Sequence, residues 1–112
     1  MENRTVAPEE LHSWLQAGRA LQILDVRKKR DFDADPRMLP RARWKDPGQV
    51  AEWCKELPKT TPIVVYCVHG HAVSNGVVDH LRASGFDALL IEGGIEGWKE
   101  AGGSTVKKRA SA

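Results

Sequence analysis

Three short apolar runs, LQILDVR at 21–27, TPIVVYC at 61–67 and FDALLIE at 86–92, are separated by polar stretches long enough to cross back over a sheet. Each run is short for a helix and nearly continuous in apolar residues, the pattern of a strand buried on both faces. The segments around them read as helices. In TVAPEELHSWLQAG, Pro8 suits a first helical turn, Glu9 and Glu10 suit its positive end, and Leu11, Trp14 and Leu15 share one face. Gly18 is a natural stop. In KDPGQVAEWCKELP, Asp46 is a candidate N-cap before Pro47, and Val50, Trp53, Cys54 and Leu57 form a stripe at i, i+3, i+4, i+7. Ser74 is expected to cap a helix running to about Ala83, with Val77, Val78 and Leu81 facing inward and Gly85 ending it. GIEGWKEAG reads as a last short helix, and KKRDFDADPRMLPRAR as a short helix followed by an irregular surface loop. Strands alternating with helices predict an α/β fold, a small parallel sheet with helices on both faces.

A chain of 112 residues argues for one domain, with a core over about 6–102 and a flexible tail at 103–112. The charge balance, 17 basic against 15 acidic residues, gives no reason to expect nucleic acid or a membrane surface as a partner. No apolar run approaches a membrane-spanning length, and MENRTVAPEE lacks the apolar centre of a signal peptide. The two cysteines, Cys54 and Cys67, cannot build a disulfide framework. A reducing, cytoplasmic setting is therefore expected.

The two cysteines differ in their surroundings. Cys54 sits on the apolar stripe and reads as core. Cys67 ends the most apolar run and is followed by VHGHAVSNG, which is polar, glycine-bearing and helix-initiating. A strand, a tight loop and a helix N-terminus in succession make an anion-binding device: loop amides turn inward and the helix adds partial positive charge. Such a device stabilises a thiolate, the nucleophilic form. Gly70 allows the backbone to curl closely, and Ser74 offers a hydroxyl near the loop.

LQILDVR, IVVYC with its HG-containing loop, and GFDALLIEGGIEGWKEAG together resemble the single-domain rhodanese (sulfurtransferase) family, from about Val6 to Gly102. The resemblance implies a rhodanese-like sheet of about five strands. It also implies that Cys67 takes up a sulfane sulfur as a persulfide and passes it to a thiophilic acceptor. By the same resemblance the amides of Val68, His69, Gly70, His71, Ala72 and Val73 cradle the outer sulfur, with Ser74 closing the loop, and the DVR and GGxxGW residues are mostly structural. No cofactor is implied. The implied partners are a small-molecule sulfur donor and a thiol or other thiophilic acceptor, a protein acceptor included.

Two departures stand out. Ser74 lies seven places after Cys67 where many rhodaneses place it six, and the loop has no Arg or Lys. The usual GHIPGA stretch reads RMLPRAR, with Leu39, Pro40 and Ala42 in matching places. The longer loop raises a phosphatase- or arsenate-reductase-like alternative, but Val73 stands where Cys-x5-Arg chemistry needs its arginine. A catalytically silent binding module is the other alternative. Cys67, His69 and His71 have soft-metal ligand types at i, i+2, i+4, but that spacing shares a face only in an extended strand, so no metal site is expected. Lys28 to Arg30, following DVR, is a candidate source of the positive field that the loop lacks.

Overall fold

The computed structural model describes residues 5–69 and 72–107. Five strands form one parallel sheet: β1 (Thr5–Val6), β2 (Gln22–Asp25), β4 (Ala42–Trp44), β5 (Ile63–Tyr66) and β6 (Ala88–Ile91), in the order β1-β6-β5-β2-β4. Every residue of β5, the central strand, is buried.

Alternation along the strands divides the core between two faces. On one side Leu24, Val65 and Leu90 pack with Trp53 of the short helix α3 (Val50–Trp53) and with Val77, Val78 and Leu81 of α4 (Ala72–Ala83). On the other, Ile23, Val64, Tyr66 and Ile91 meet Leu11 of α1 (Pro8–Gln16) and Ile95 and Trp98 of α5 (Gly94–Glu100). The predicted stripe is present. Trp53 and Cys54 are buried and Val50 and Leu57 pack against them, although α3 is a single turn flanked by tighter 3-10 turns at Pro47–Gln49 and Cys54–Glu56. The Asp46 carboxylate caps the first of these turns by accepting from Gly48 N–H at 2.9 Å.

Three expectations need correction. The helix α4 begins at Ala72, so Ser74 lies inside its first turn and does not cap it. The stretch after α2 (Lys29–Ala34), expected to be irregular, contains two strands: β3 (Arg37–Met38) and β4. Edge strand β4 draws its order from pairing with β2, and the pairing is invisible in a run as charged as RARWKD. The expected flexible tail is also tied down at its start. Gly103 N–H donates to Trp98 O, and β7 (Val106–Lys107) pairs antiparallel with β3. Arg37 adds side-chain bonds to Thr105 Oγ1 at 2.8 Å and Thr105 O at 3.0 Å.

Candidate active site

Cys67 follows the last residue of β5, at the carboxyl end of the sheet, where ligands of open α/β folds gather. Its side chain is nearly buried, and the thiol donates to the buried Ser74 Oγ at 3.2 Å. Ser74 thus meets the cysteine from the first turn of α4, as its place in the sequence promised, by a side-chain contact and not a helix cap. Val68 and Val73 are half-buried and His69 is exposed. Ala72 opens α4. Gly70 and His71, the other two expected loop residues, lie outside the described residues. Cys54 lies in the core facing α4, as expected for a structural cysteine.

The loop is held from behind by α5. Ile95 N–H donates to Cys67 O at 2.9 Å and Glu96 N–H to Val68 O at 3.1 Å. These amides belong to the first turn of α5, where no earlier carbonyl in the helix can take them. The approach is close enough to exclude a side chain: a Cβ on Gly94 would stand 2.4 Å from Cys67 O and 2.5 Å from Val68 O, and Gly94 has φ +62°. The GGIEGW segment therefore braces the cysteine loop. The sequence marks this segment as structural, and its two successive glycines at a strand–helix junction are the one signal of the close approach it makes. Because a peptide plane sets C=O and the following N–H on opposite sides, anchoring these two carbonyls turns the Val68 and His69 N–H groups away from α5.

A buried polar cluster fixes the same end of β5 from the other side. The Arg27 guanidinium grips the Asp25 carboxylate, with Nη2 to Oδ2 at 2.6 Å, both side chains fully buried. Tyr66 Oη donates to Asp25 Oδ2 at 2.9 Å and accepts from Leu39 N–H at 3.2 Å. Burial and the neighbouring Asp25 charge push the Tyr66 phenol well above its ordinary value, so it remains a donor. Burial works against the Arg27 charge, but its hydrogen bonds and attraction to Asp25 outweigh this and raise its pKa. Arg27 Nη1, buried without a hydrogen bond, stands 3.5 Å from Asp35 Oδ2. Trp44 Nε1 closes the corner on Arg27 O at 2.8 Å. The DVR residues thus tie β2, β4 and the segment before β4 to the residue preceding Cys67, a positioning role.

Among the described residues no three His, Cys, Asp or Glu side chains gather as a metal site would require. No described helix is long and apolar enough to cross a membrane.

A cysteine at the carboxyl end of a central parallel strand, facing the first turn of the next helix, defines an α/β domain built around a cysteine loop. The chain belongs to the rhodanese family: the Rhodanese-like domain model matches residues 7–101. It is 28% identical over 99 residues to thiosulfate sulfurtransferase GlpE of Pseudomonas syringae, covering 88% of this chain and 89% of that one. It is 29% identical over 98 residues to a Mycobacterium tuberculosis protein named "Probable adenylyltransferase/sulfurtransferase MoeZ", covering 84% of this chain but only 24% of that protein. Among solved structures, a rhodanese-related protein from Thermoplasma volcanium superposes with a TM-score of 0.81 at 25% identity, covering 94% of this chain and 99% of that one.

Proposed function

We propose that the protein is a sulfurtransferase that moves a sulfane sulfur from thiosulfate or a persulfide through a Cys67 persulfide to a thiophilic acceptor. The observation that carries this reading is the placement of the Cys67 thiol against Ser74 in the first turn of α4, with the loop carbonyls drawn off to α5. In the first half-reaction the Cys67 thiolate attacks the sulfane sulfur. A new S–S bond forms and the donor's S–S bond breaks, its electron pair leaving with sulfite or with the donor thiolate. In the second, an acceptor nucleophile attacks the outer sulfur and the pair returns to Cys67. The outward-turned amides and the start of α4 would balance the negative persulfide, and the Ser74 hydroxyl would donate to sulfur once the thiol proton is gone. No cofactor enters these steps. The reading suits a reducing cytoplasm, and a small thiol or a protein thiol serves equally as acceptor.

Phosphoryl or arsenate chemistry is the weaker reading. It needs a cation on the developing charge. Val73 occupies that place, and the next arginine, Arg82, donates Nε–H to Ala88 O at 2.8 Å. Intact mass after exposure to thiosulfate or glutathione persulfide tests the proposal. One added sulfur is expected on the wild type and on Cys54→Ser, and none on Cys67→Ser. Sulfur transfer undiminished in Cys67→Ser would overturn the mechanism. A wild type that accepts no sulfur from either donor would favour the silent binding module.

A further inference from the structure

We propose that the groove beside the Cys67 loop binds the carboxylate-bearing body of an organic persulfide, and that Lys28 and Gly76 set this preference. The proposal rests on the sulfur-transfer reading and adds the substrate class. The groove, about 540 Å³, opens beyond the carboxyl ends of β2 and β4, against the start of α4. Lys28 and Lys29 enter it from the end of β2, Asp46 from the end of β4, and Val73 from the first turn of α4, next to the Ser74 that touches Cys67. Half-buried Val50 and Val73 and buried Val77 give it apolar surface, and His80 lies further along α4. The volume is that of a small-molecule site. It far exceeds what thiosulfate fills and accommodates a body of several residues' size.

The charges favour an anion. Lys28 is exposed, and while its carbonyl accepts from Phe32 N–H at 2.9 Å, its side chain makes no hydrogen bond or ion pair among the described residues. Lys29 is paired with the exposed Asp33 at 2.7 Å, and the Asp46 carboxylate is engaged with its own turn through Gly48 N–H. Lys28 is thus the cation best placed to meet a ligand carboxylate, and it supplies from another element the positive charge that the loop sequence lacks.

Gly76 is the second observation. A glycine inside a helix sacrifices stability that alanine would give. Here the vacancy serves no close packing, because a Cβ at Gly76 would meet nothing within 4 Å. What the missing side chain leaves open is the groove, which Gly76 lines. Functional surfaces are where a local rule is expected to be broken without a packing reason.

The test compares kcat/KM for glutathione persulfide, for its esterified form without carboxylate charge, and for thiosulfate. Gly76→Leu, which suits the helix but fills the groove, should lower the ratio of glutathione persulfide to thiosulfate about tenfold. Lys28→Gln should shrink the preference for the free acid over the ester by about three- to fivefold, the scale of one exposed ion pair. Lys28→Glu should reverse that preference. Both ratios unchanged would overturn the proposal. Binding is read separately with unreactive S-methylglutathione on Cys67→Ser. Amide shifts at Val73 and Gly76 would uphold the groove even if the wild type transferred no sulfur, an outcome that would overturn only the sulfur-transfer reading. No shift at those amides would overturn the groove.

Discussion

Gly94→Ala changes no residue of the cysteine loop, yet it should damage that loop more than most substitutions within it. Two costs add. Gly94 has φ +62°, and an alanine there carries a left-handed penalty of about 1–2 kcal/mol. Its Cβ would also stand 2.4–2.6 Å from the Cys67 and Val68 carbonyl groups, below the 3.0 Å that such contacts do not cross. The loop and α5 must separate by about half an ångström, stretching the bonds from Ile95 and Glu96 N–H, each worth about 0.5–1.5 kcal/mol. The total, roughly 2–5 kcal/mol, is a large share of the 5–15 kcal/mol typical of a domain, so the variant should fold with a melting temperature lowered by about 10 °C or more. Misplacement of a nucleophile by about 1 Å costs roughly a hundredfold in rate, so sulfur transfer should fall about tenfold or more. Gly18→Ala is the control: φ is +71° but no atom lies within 4 Å of the added Cβ. It should lose about 1–2 kcal/mol and no activity. If Gly94→Ala melts with Gly18→Ala and keeps wild-type kcat/KM, the brace from α5 does not position Cys67.

Tyr66→Phe leaves Asp25 Oδ2 and Leu39 N–H each short of a buried partner, and denaturant unfolding should register a loss of about 1–3 kcal/mol. Arg41 holds φ +70° where the rhodanese pattern has glycine, so Arg41→Gly should stabilise by about 0.5–1 kcal/mol despite losing a 3.4 Å contact to Leu21 O; a lower melting temperature would refute that account. The Asp35–Lys99 pair sets a pH window. Burial works to raise the Asp35 carboxyl, but hydrogen bonds from Lys99 and the Arg37 backbone, with the Lys99 and Arg27 charges, hold it below 3.8, while the Asp35 hydrogen bond chiefly lifts Lys99 above 10.5. The stability from Asp35 is present above 3.8 and lost as pH falls through its lowered value; that from Lys99 is present below 10.5 and lost as pH rises through its raised value. Melting curves of wild type and Lys99→Met should therefore differ by a constant amount between those limits and converge beyond them.

Where the elements carry their own signal, the chain was readable. Ile63 to Tyr66 could hardly be anything but a buried strand, the positions of Trp53, Cys54, Val77, Val78 and Leu81 marked one face of the core, and the nearness of Ser74 to Cys67 at the candidate site followed from their spacing. The unread parts depend on partners distant in sequence. Edge strand β4 sets the exposed Arg43 between half-buried Ala42 and Trp44 because one side of it faces solvent, and it is ordered by β2. The Val106–Lys107 strand exists because Arg37 and Met38 receive it. The brace from Gly94, Ile95 and Glu96 is a contact between backbones, and side-chain patterns do not encode it beyond a pair of glycines.

The strand order also dictates an order of assembly. The pair β2–β5 joins Gln22 to Ile63, and β5–β6 joins Ile63 to Ala88, whereas β1 reaches its place only by setting Thr5 beside Leu90. That pairing has the widest sequence separation in the sheet, costly to close before the other strands meet, and it gains a ladder of just two residues, so β1 should dock late in folding and open early. Hydrogen exchange should find its amides unprotected well before those of Ile63 to Tyr66. The strands that carry the cysteine loop are then a kinetic nucleus, and the N-terminal strand is a latch added after the site is already shaped.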